Sequence, residues 1–193
     1  TGNNFLSYSY SEGQSIDNAL PGDAADKTSY IYGEASAAIN VGGDTGWAGS
    51  LESFEGGKGY WFGADDNFVF EYNEPADGVA AYSPVPMPVR PERLAFKQSP
   101  HQYFYFVDEA TVEGADLSYG DWIVAYNKDV IVGSRMYQGT AMVDIPIMGV
   151  DTTVPILATQ TAGYCKDGDI PSIKIHRTTG EVVDMHVTAV EGS

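Results

Sequence analysis

Hydrophobic and polar positions alternate in short runs along this chain, and the period is that of strands. The clearest case is Gly120 to Arg135. Trp122, Val124 and Tyr126 alternate with Ile123, Ala125 and Asn127. After Asn127-Lys128-Asp129 comes Val130-Ile131-Val132, closed by Gly133. Apolar runs of this length, rich in β-branched and aromatic residues and bounded by Gly, Asn and Asp, predict a β-hairpin. Other strands are predicted at residues 3–10, at Tyr30-Ile31-Tyr32 and at Tyr60-Trp61-Phe62. The last of these returns through Asp65-Asp66-Asn67 as a second arm, Phe68 to Tyr72. Tyr103 to Val107 is apolar on both faces, which predicts a central strand. Ala141 to Gly149 is interrupted by Pro146, which predicts an edge or a bulge. Val154 to Leu157 is a short apolar run. Ile170 to His176 alternates and turns at Thr178-Thr179-Gly180-Glu181 into Val182 to Val187. Ser15 to Gly22, with a capping Ser and a Pro-Gly stop, predicts one helical turn at best.

Proline punctuates the middle of the chain at positions 75, 84, 86, 88 and 91. Such density removes ladder donors and favours extended polyproline backbone. The expected organisation is therefore all-β, with two β-rich domains and few or no helices. Residues 1–83 form an N-terminal module. Residues 84–91 are a linker or strap, and residues 92–193 are a β-sandwich, immunoglobulin-like or jelly-roll-like.

Charge narrows the partners. The 193 residues carry 27 Asp and Glu against 10 Lys and Arg, a net charge of −17. A phosphate backbone or an anionic membrane surface is repelled by such a chain. No nucleic acid and no membrane insertion are expected, and no stretch approaches the roughly 18 apolar residues of a membrane span. Cys165 stands alone, so no intrachain disulfide forms. It reads as a small core or loop residue. No signal peptide occurs in these residues, and the start at Thr1 reads as a processed N-terminus or an excised boundary.

Candidate chemistry is sparse. No GxSxG, HExxH, GxGxxG or CxxC occurs, and no enzyme activity is expected. Gly56-Gly57-Lys58-Gly59 lacks the spacing of a phosphate loop and precedes a strand. His176 and His186 fall in opposite arms of the last hairpin and could approach each other. Asp121, Asn127, Asp129, Asp144 and Asp151 lie at strand ends or turns, with Asp167 and Asp169 nearby. Ca²⁺ takes six to eight oxygens from such loops, so these residues are a candidate Ca²⁺ set. Their other role is to cap turns. Trp47, Trp61 and Trp122 are candidates for an aromatic platform that stacks on sugars, or else for core anchors.

A resemblance adds to this reading. Its first-half markers are Ser15-Ile16-Asp17-Asn18-Ala19-Leu20, Gly46-Trp47-Ala48-Gly49-Ser50-Leu51-Glu52 and Gly56-Gly57-Lys58-Gly59-Tyr60-Trp61. The second half adds Gly120-Asp121-Trp122-Ile123, Val132-Gly133-Ser134-Arg135, Asp144-Ile145-Pro146-Ile147-Met148-Gly149 and Gly168-Asp169-Ile170-Pro171. Together they resemble paired, non-catalytic β-rich modules of large secreted or surface proteins of marine bacteria. The resemblance implies extracellular or cell-surface display and no established chemistry. In the modules it resembles, some sequences place a Cys where Ile131 stands here; this chain departs there, so a pairing with Cys165 is excluded.

Two function classes follow. The first is a structural or adhesive surface module whose partners are other copies of itself, as a homo-oligomer, polymer or filament. The second is a carbohydrate-binding module that meets surface polysaccharides. A row of exposed aromatics along one sheet face would distinguish the second from the first.

Overall fold

The computed structural model describes residues 2–43, 46–76, 88–140 and 142–188. The chain divides into two compact units, Thr1–Met87 and Pro88–Ser193. Residues 77–87, which include the first half of the expected strap, lie outside the described residues. The fold is all-β. Antiparallel sheets dominate, and the three α-helices among the described residues have four to six residues each.

In the first unit the elements are β1 (Gly2–Ser7), β2 (Gln14–Ser15), α1 (Ile16–Ala19), α2 (Gly22–Ala25), β3 (Thr28–Tyr32), β4 (Ala37–Gly42), β5 (Gly46–Gly49), β6 (Ser53–Phe54) and β7 (Gly59–Ala64). Five of them form one sheet in the order β1-β7-β3-β4-β5, and β2 pairs with β6. The predicted helical turn is α1. Ser15 caps it by accepting a 3.3 Å hydrogen bond from the Asn18 amide, which satisfies one of its orphan donors.

Phe54 is fully buried at the centre of the core. Its ring lies 4.9 Å from Tyr60, 5.5 Å from Tyr8 and 5.8 Å from Phe62. Ile16, Leu20, Ile31 and Ala38 fill the space around these rings. Phe68 to Tyr72 differs from its predicted role. It joins no sheet, because both edges of β7 are already paired, with β1 and with β3. Phe70 and Tyr72 instead pack their rings against the core, and the Asn73 amide donates to the Ala19 carbonyl at 2.9 Å.

In the second unit the elements are β8 (Gln102–Val107), β9 (Thr111–Val112), β10 (Ala115–Asp116), β11 (Trp122–Asn127), β12 (Val130–Met136), β13 (Val143–Met148), α3 (Pro155–Gln160), β14 (Ser172–His176) and β15 (Val182–Asp184). A four-stranded sheet runs β12-β11-β14-β15. A second pair is β13-β8, and β9 and β10 form a small hairpin. The arrangement is sandwich-like. The predicted hairpin is β11 and β12, joined by Lys128-Asp129 with Asn127 opposite Val130. Lys128 takes a left-handed φ of 57°, as a two-residue turn requires. A 3-10 turn at Glu92–Leu94 seats Leu94 against Trp122 and Val124.

Two local expectations change, and a third, the edge position at Pro146, holds. Tyr103 to Val107 is not central: among the described residues β8 pairs only with β13, and Tyr103 is 62% exposed. Pro146 sits in an unbroken ladder opposite Phe104. Of the two roles expected there, edge or bulge, β13 takes the edge: among the described residues it pairs on one side only, so the missing N–H costs no bond on the other. Every side chain of β13 is nonetheless buried. Val154 to Leu157 runs into helix α3, started by Pro155, whose fixed φ suits a first turn.

Candidate functional site

Residues directly opposite one another in an antiparallel ladder share a face. Across β1, β7 and β3, Leu6 opposes Tyr60 and Phe62 opposes Ile31. Tyr60, Phe62 and Ile31 are buried, so this is the core face. On the other face Phe5 opposes Trp61, and Trp61 opposes Tyr32. Tyr30 lies two residues before Tyr32 and joins them. Phe5 is 56% exposed and Trp61 47%, while Tyr30 and Tyr32 are half-buried.

The rings pair closely. Phe5 and Trp61 have centroids 5.0 Å apart at 53°, and Tyr30 and Tyr32 stack at 4.5 Å and 24°. Two glycines let the rings lie down. Gly59 and Gly63 share the face of Trp61, two residues to either side of it. A Cβ at Gly59 would stand 2.2 Å from Phe5 Cζ, and one at Gly63 would stand 2.3 Å from Tyr30 Cε1. The Phe5 ring therefore covers Gly59 and the Tyr30 ring covers Gly63. The Tyr30 hydroxyl donates to Asn3 Oδ1 on β1, so its ring bridges β7 from one neighbour to the other. Burial, with Tyr30 beside it, pushes the Tyr32 phenol up to about 12, so it stays neutral. Asn3, opposite Gly63, and Ile39, opposite Tyr30, extend the face without charge.

Of the three tryptophans proposed as a platform, only Trp61 is on this surface. Trp122 is a core residue at 8% exposure, packed with Leu94 and Val124. Trp47 lies against the first unit's core, opposite Asn40. Sequence reasoning missed Phe5, Tyr30 and Tyr32. The available signal was Gly59-Tyr60-Trp61-Phe62-Gly63: glycine on both same-face neighbours of Trp61 marks a place where other rings cover the strand.

The structure does not bring the candidate Ca²⁺ residues together. Asp121, fully buried, accepts from the Ser118 amide at 2.9 Å and the Thr178 amide at 2.8 Å. Arg177 Nε is 3.1 Å from its Oδ2, an ion pair without hydrogen-bond alignment. Asp144 is paired with Arg135 at 2.7 Å, both buried. Asn127 donates to the Gly163 carbonyl and to Asp169 Oδ2, which also takes the Lys166 amide. Asp129 and Asp167 are exposed. Asp151 accepts from the Thr153 amide and hydroxyl through Oδ1, which holds its carboxyl below the usual range. Its buried Oδ2 has no hydrogen-bond partner among the described residues. Among those residues no three of His, Cys, Asp and Glu group as a metal cluster.

The two C-terminal histidines stay apart. His176 opposes Val182 in the β14–β15 ladder. His186, two residues beyond β15, is therefore displaced by four positions, roughly 13 Å at strand rise. His176 Nε2 instead meets Tyr126 Oη at 2.9 Å. Burial, then Arg93 and Lys174, hold the His176 imidazole below its ordinary pKa. Next to it a cavity of about 380 Å³ is lined by Arg93, Leu94, Arg177, Glu181 and Val182. Of its charged walls, Arg177 is paired with Asp121, and Arg93 and Glu181 carry opposite charges. Cys165 is buried, and burial raises its thiol pKa.

No helix among the described residues is long and apolar enough to cross a membrane. No family model, curated protein or solved structure matches this chain.

Proposed function

We propose that this chain is a non-catalytic, extracellular binding module whose N-terminal unit holds a neutral polysaccharide on the aromatic sheet face. The observation that supports it best is the contiguous row Phe5–Trp61–Tyr32, with Tyr30 stacked on Tyr32, on the solvent side of one sheet. Rings in this setting would normally be buried, since each carries a large apolar area. A pyranose presents flat C–H faces and peripheral hydroxyls, so it covers aromatic rings while keeping its polar groups in water. The residues named on this face are uncharged, which suits a neutral ligand. At net −17 the chain repels polyanions and, at low salt, its own copies. The resemblance to modules of large secreted proteins agrees with cell-surface placement.

The test is retention on neutral polysaccharides, soluble and insoluble, by affinity electrophoresis and pull-down. Wild type is expected to bind at least one, and Trp61→Ala to lose at least about tenfold in affinity with an unchanged circular dichroism spectrum. Absence of any glycan binding, together with a concentration-dependent rise in mass that Trp61→Ala abolishes, would transfer the face to self-association and favour the structural, adhesive reading.

A further inference from the structure

The glycines flanking Trp61 define a direction as well as a surface. Positions 59, 61 and 63 lie in line along β7, at about 6.7 Å per two residues, so the line is ~13 Å long. Each position carries a ring: Phe5 over Gly59, Trp61 itself, and Tyr30 over Gly63. Tyr30 is fixed there from both sides, by its stack on Tyr32 and by its bond to Asn3. Phe5 is fixed against Trp61. A ring over Gly63 could not lie down if that residue had a side chain, and the same holds at Gly59.

Resting on the polysaccharide reading above, we infer that the ligand is a linear, extended, equatorially linked neutral glycan. It lies parallel to β7 with successive units over Phe5, Trp61 and Tyr30. A flat ribbon chain keeps its C–H faces on a straight line of rings. A chain that coils, as axially linked glucans do, leaves the line after one contact. Asn3, Ile39 and the four rings carry no charge and so offer nothing that pairs with a carboxylate or sulfate substituent, and the exposed Lys58 beside Gly59 stands 3.9 Å from Glu34. Asn3 remains available as a polar neighbour beside the Tyr30 end.

The measurement is isothermal titration of the intact chain with a length series of equatorially linked oligosaccharides, from disaccharide to hexasaccharide, and with axially linked oligosaccharides of the same sizes. Affinity is expected to rise about tenfold for each ring reached and to level off once all three rings are covered. Tyr30→Ala and Phe5→Ala, both on the solvent face, are expected to shorten the rise by one unit each. Gly63→Ala should act like Tyr30→Ala by lifting that ring, with Tyr30→Ala deciding if Gly63→Ala does not fold. Binding that is independent of length, or equal for coiled and extended chains, overturns the line along β7 and leaves a single-ring site at Trp61. No binding to any neutral glycan overturns both this inference and the reading beneath it.

Discussion

Asp144 and Asp121 show how this acidic chain uses carboxylates in its interior. Asp144 is 1% exposed and meets Arg135 at 2.7 Å, and Arg135 Nε also donates to the Asp144 carbonyl at 2.8 Å. Removing one partner strands the other charge in the interior. Asp144→Ala is therefore expected to cost about 3–5 kcal/mol in urea unfolding. Arg135→Met with Asp144→Leu should recover most of it, since a buried pair is readily replaced by apolar groups of similar volume. Equal losses in the single and double variants would refute that account. Asp121→Asn removes charge from a group that holds the Ser118 and Thr178 amides and Arg177. About 2–3 kcal/mol should be lost, equally in EDTA and in Ca²⁺. A Ca²⁺-specific gain in wild type that Asp121→Asn abolishes would restore the metal reading.

His176 gives a pH dependence. Its folded pKa is held down, so on acidification the unfolded chain takes the proton first. Its contribution to stability is full above the ordinary histidine value near 6.5 and declines as pH falls below it. Tm of wild type should therefore fall more, or rise less, than Tm of His176→Gln on passing from about pH 7.5 to about 5.5. Parallel curves would remove His176 from the pH response.

Among the elements, β12 and β13 meet most closely at Gly133. A Cβ there would stand 1.5 Å from the Pro146 carbonyl oxygen, a backbone atom that cannot swing aside. Gly133→Ala is expected to destabilise by at least about 3 kcal/mol, whereas Gly139→Ala, which meets nothing within 4 Å, pays only the strain of a φ of 81°. A tolerated Gly133→Ala would show that the two strands can separate.

The same elements show what the sequence makes readable. The β11–β12 hairpin is legible because its turn residues and its alternation agree. The α1 turn is legible from Ser15 and Pro21. Tyr103 to Val107 misleads, because two apolar faces describe a strand equally well whether neighbours or solvent lie beyond its edge. Phe68 to Tyr72 misleads because ladder occupancy is a tertiary fact: β1, from the other end of the unit, takes the edge that a local hairpin would have used. The candidate site is harder still. In Tyr60-Trp61-Phe62 both faces are aromatic, and periodicity alone cannot say which side turns inward. Only the flanking glycines, read with the partner strands, distinguish Trp61 from its neighbours. The carboxylates fail as a set for a similar reason. These acids are satisfied one by one, Asp151 and Asp169 by amides two or three residues away, Asp121 by the Ser118 and Thr178 amides and Arg177, and Asp144 by Arg135, so clustering along the chain is no measure of convergence.

At the scale of the molecule, charge and ligand separate cleanly. A net charge of −17 on 193 residues means self-repulsion in the folded state, felt over a screening length of about 30 Å at 0.01 M salt and about 3 Å at 1 M. Wild-type Tm should therefore rise as NaCl goes from about 0.01 M to about 0.5 M, and most of the gain should come early, while the screening length is still falling fast. The aromatic face behaves differently. Contact between uncharged rings and an uncharged sugar chain releases no counterions, so glycan affinity should change by less than about twofold over the same range. A polyanionic ligand held by scattered lysines would bind more weakly as salt rises, as counterion release requires. A self-associating face would do the reverse, because screening lets like-charged copies approach. Titrating the glycan at both salt concentrations, and weighing the free chain by sedimentation at both, puts the three alternatives on different slopes. A flat affinity with unchanged mass is the outcome expected of a neutral polysaccharide on Phe5, Trp61 and Tyr30.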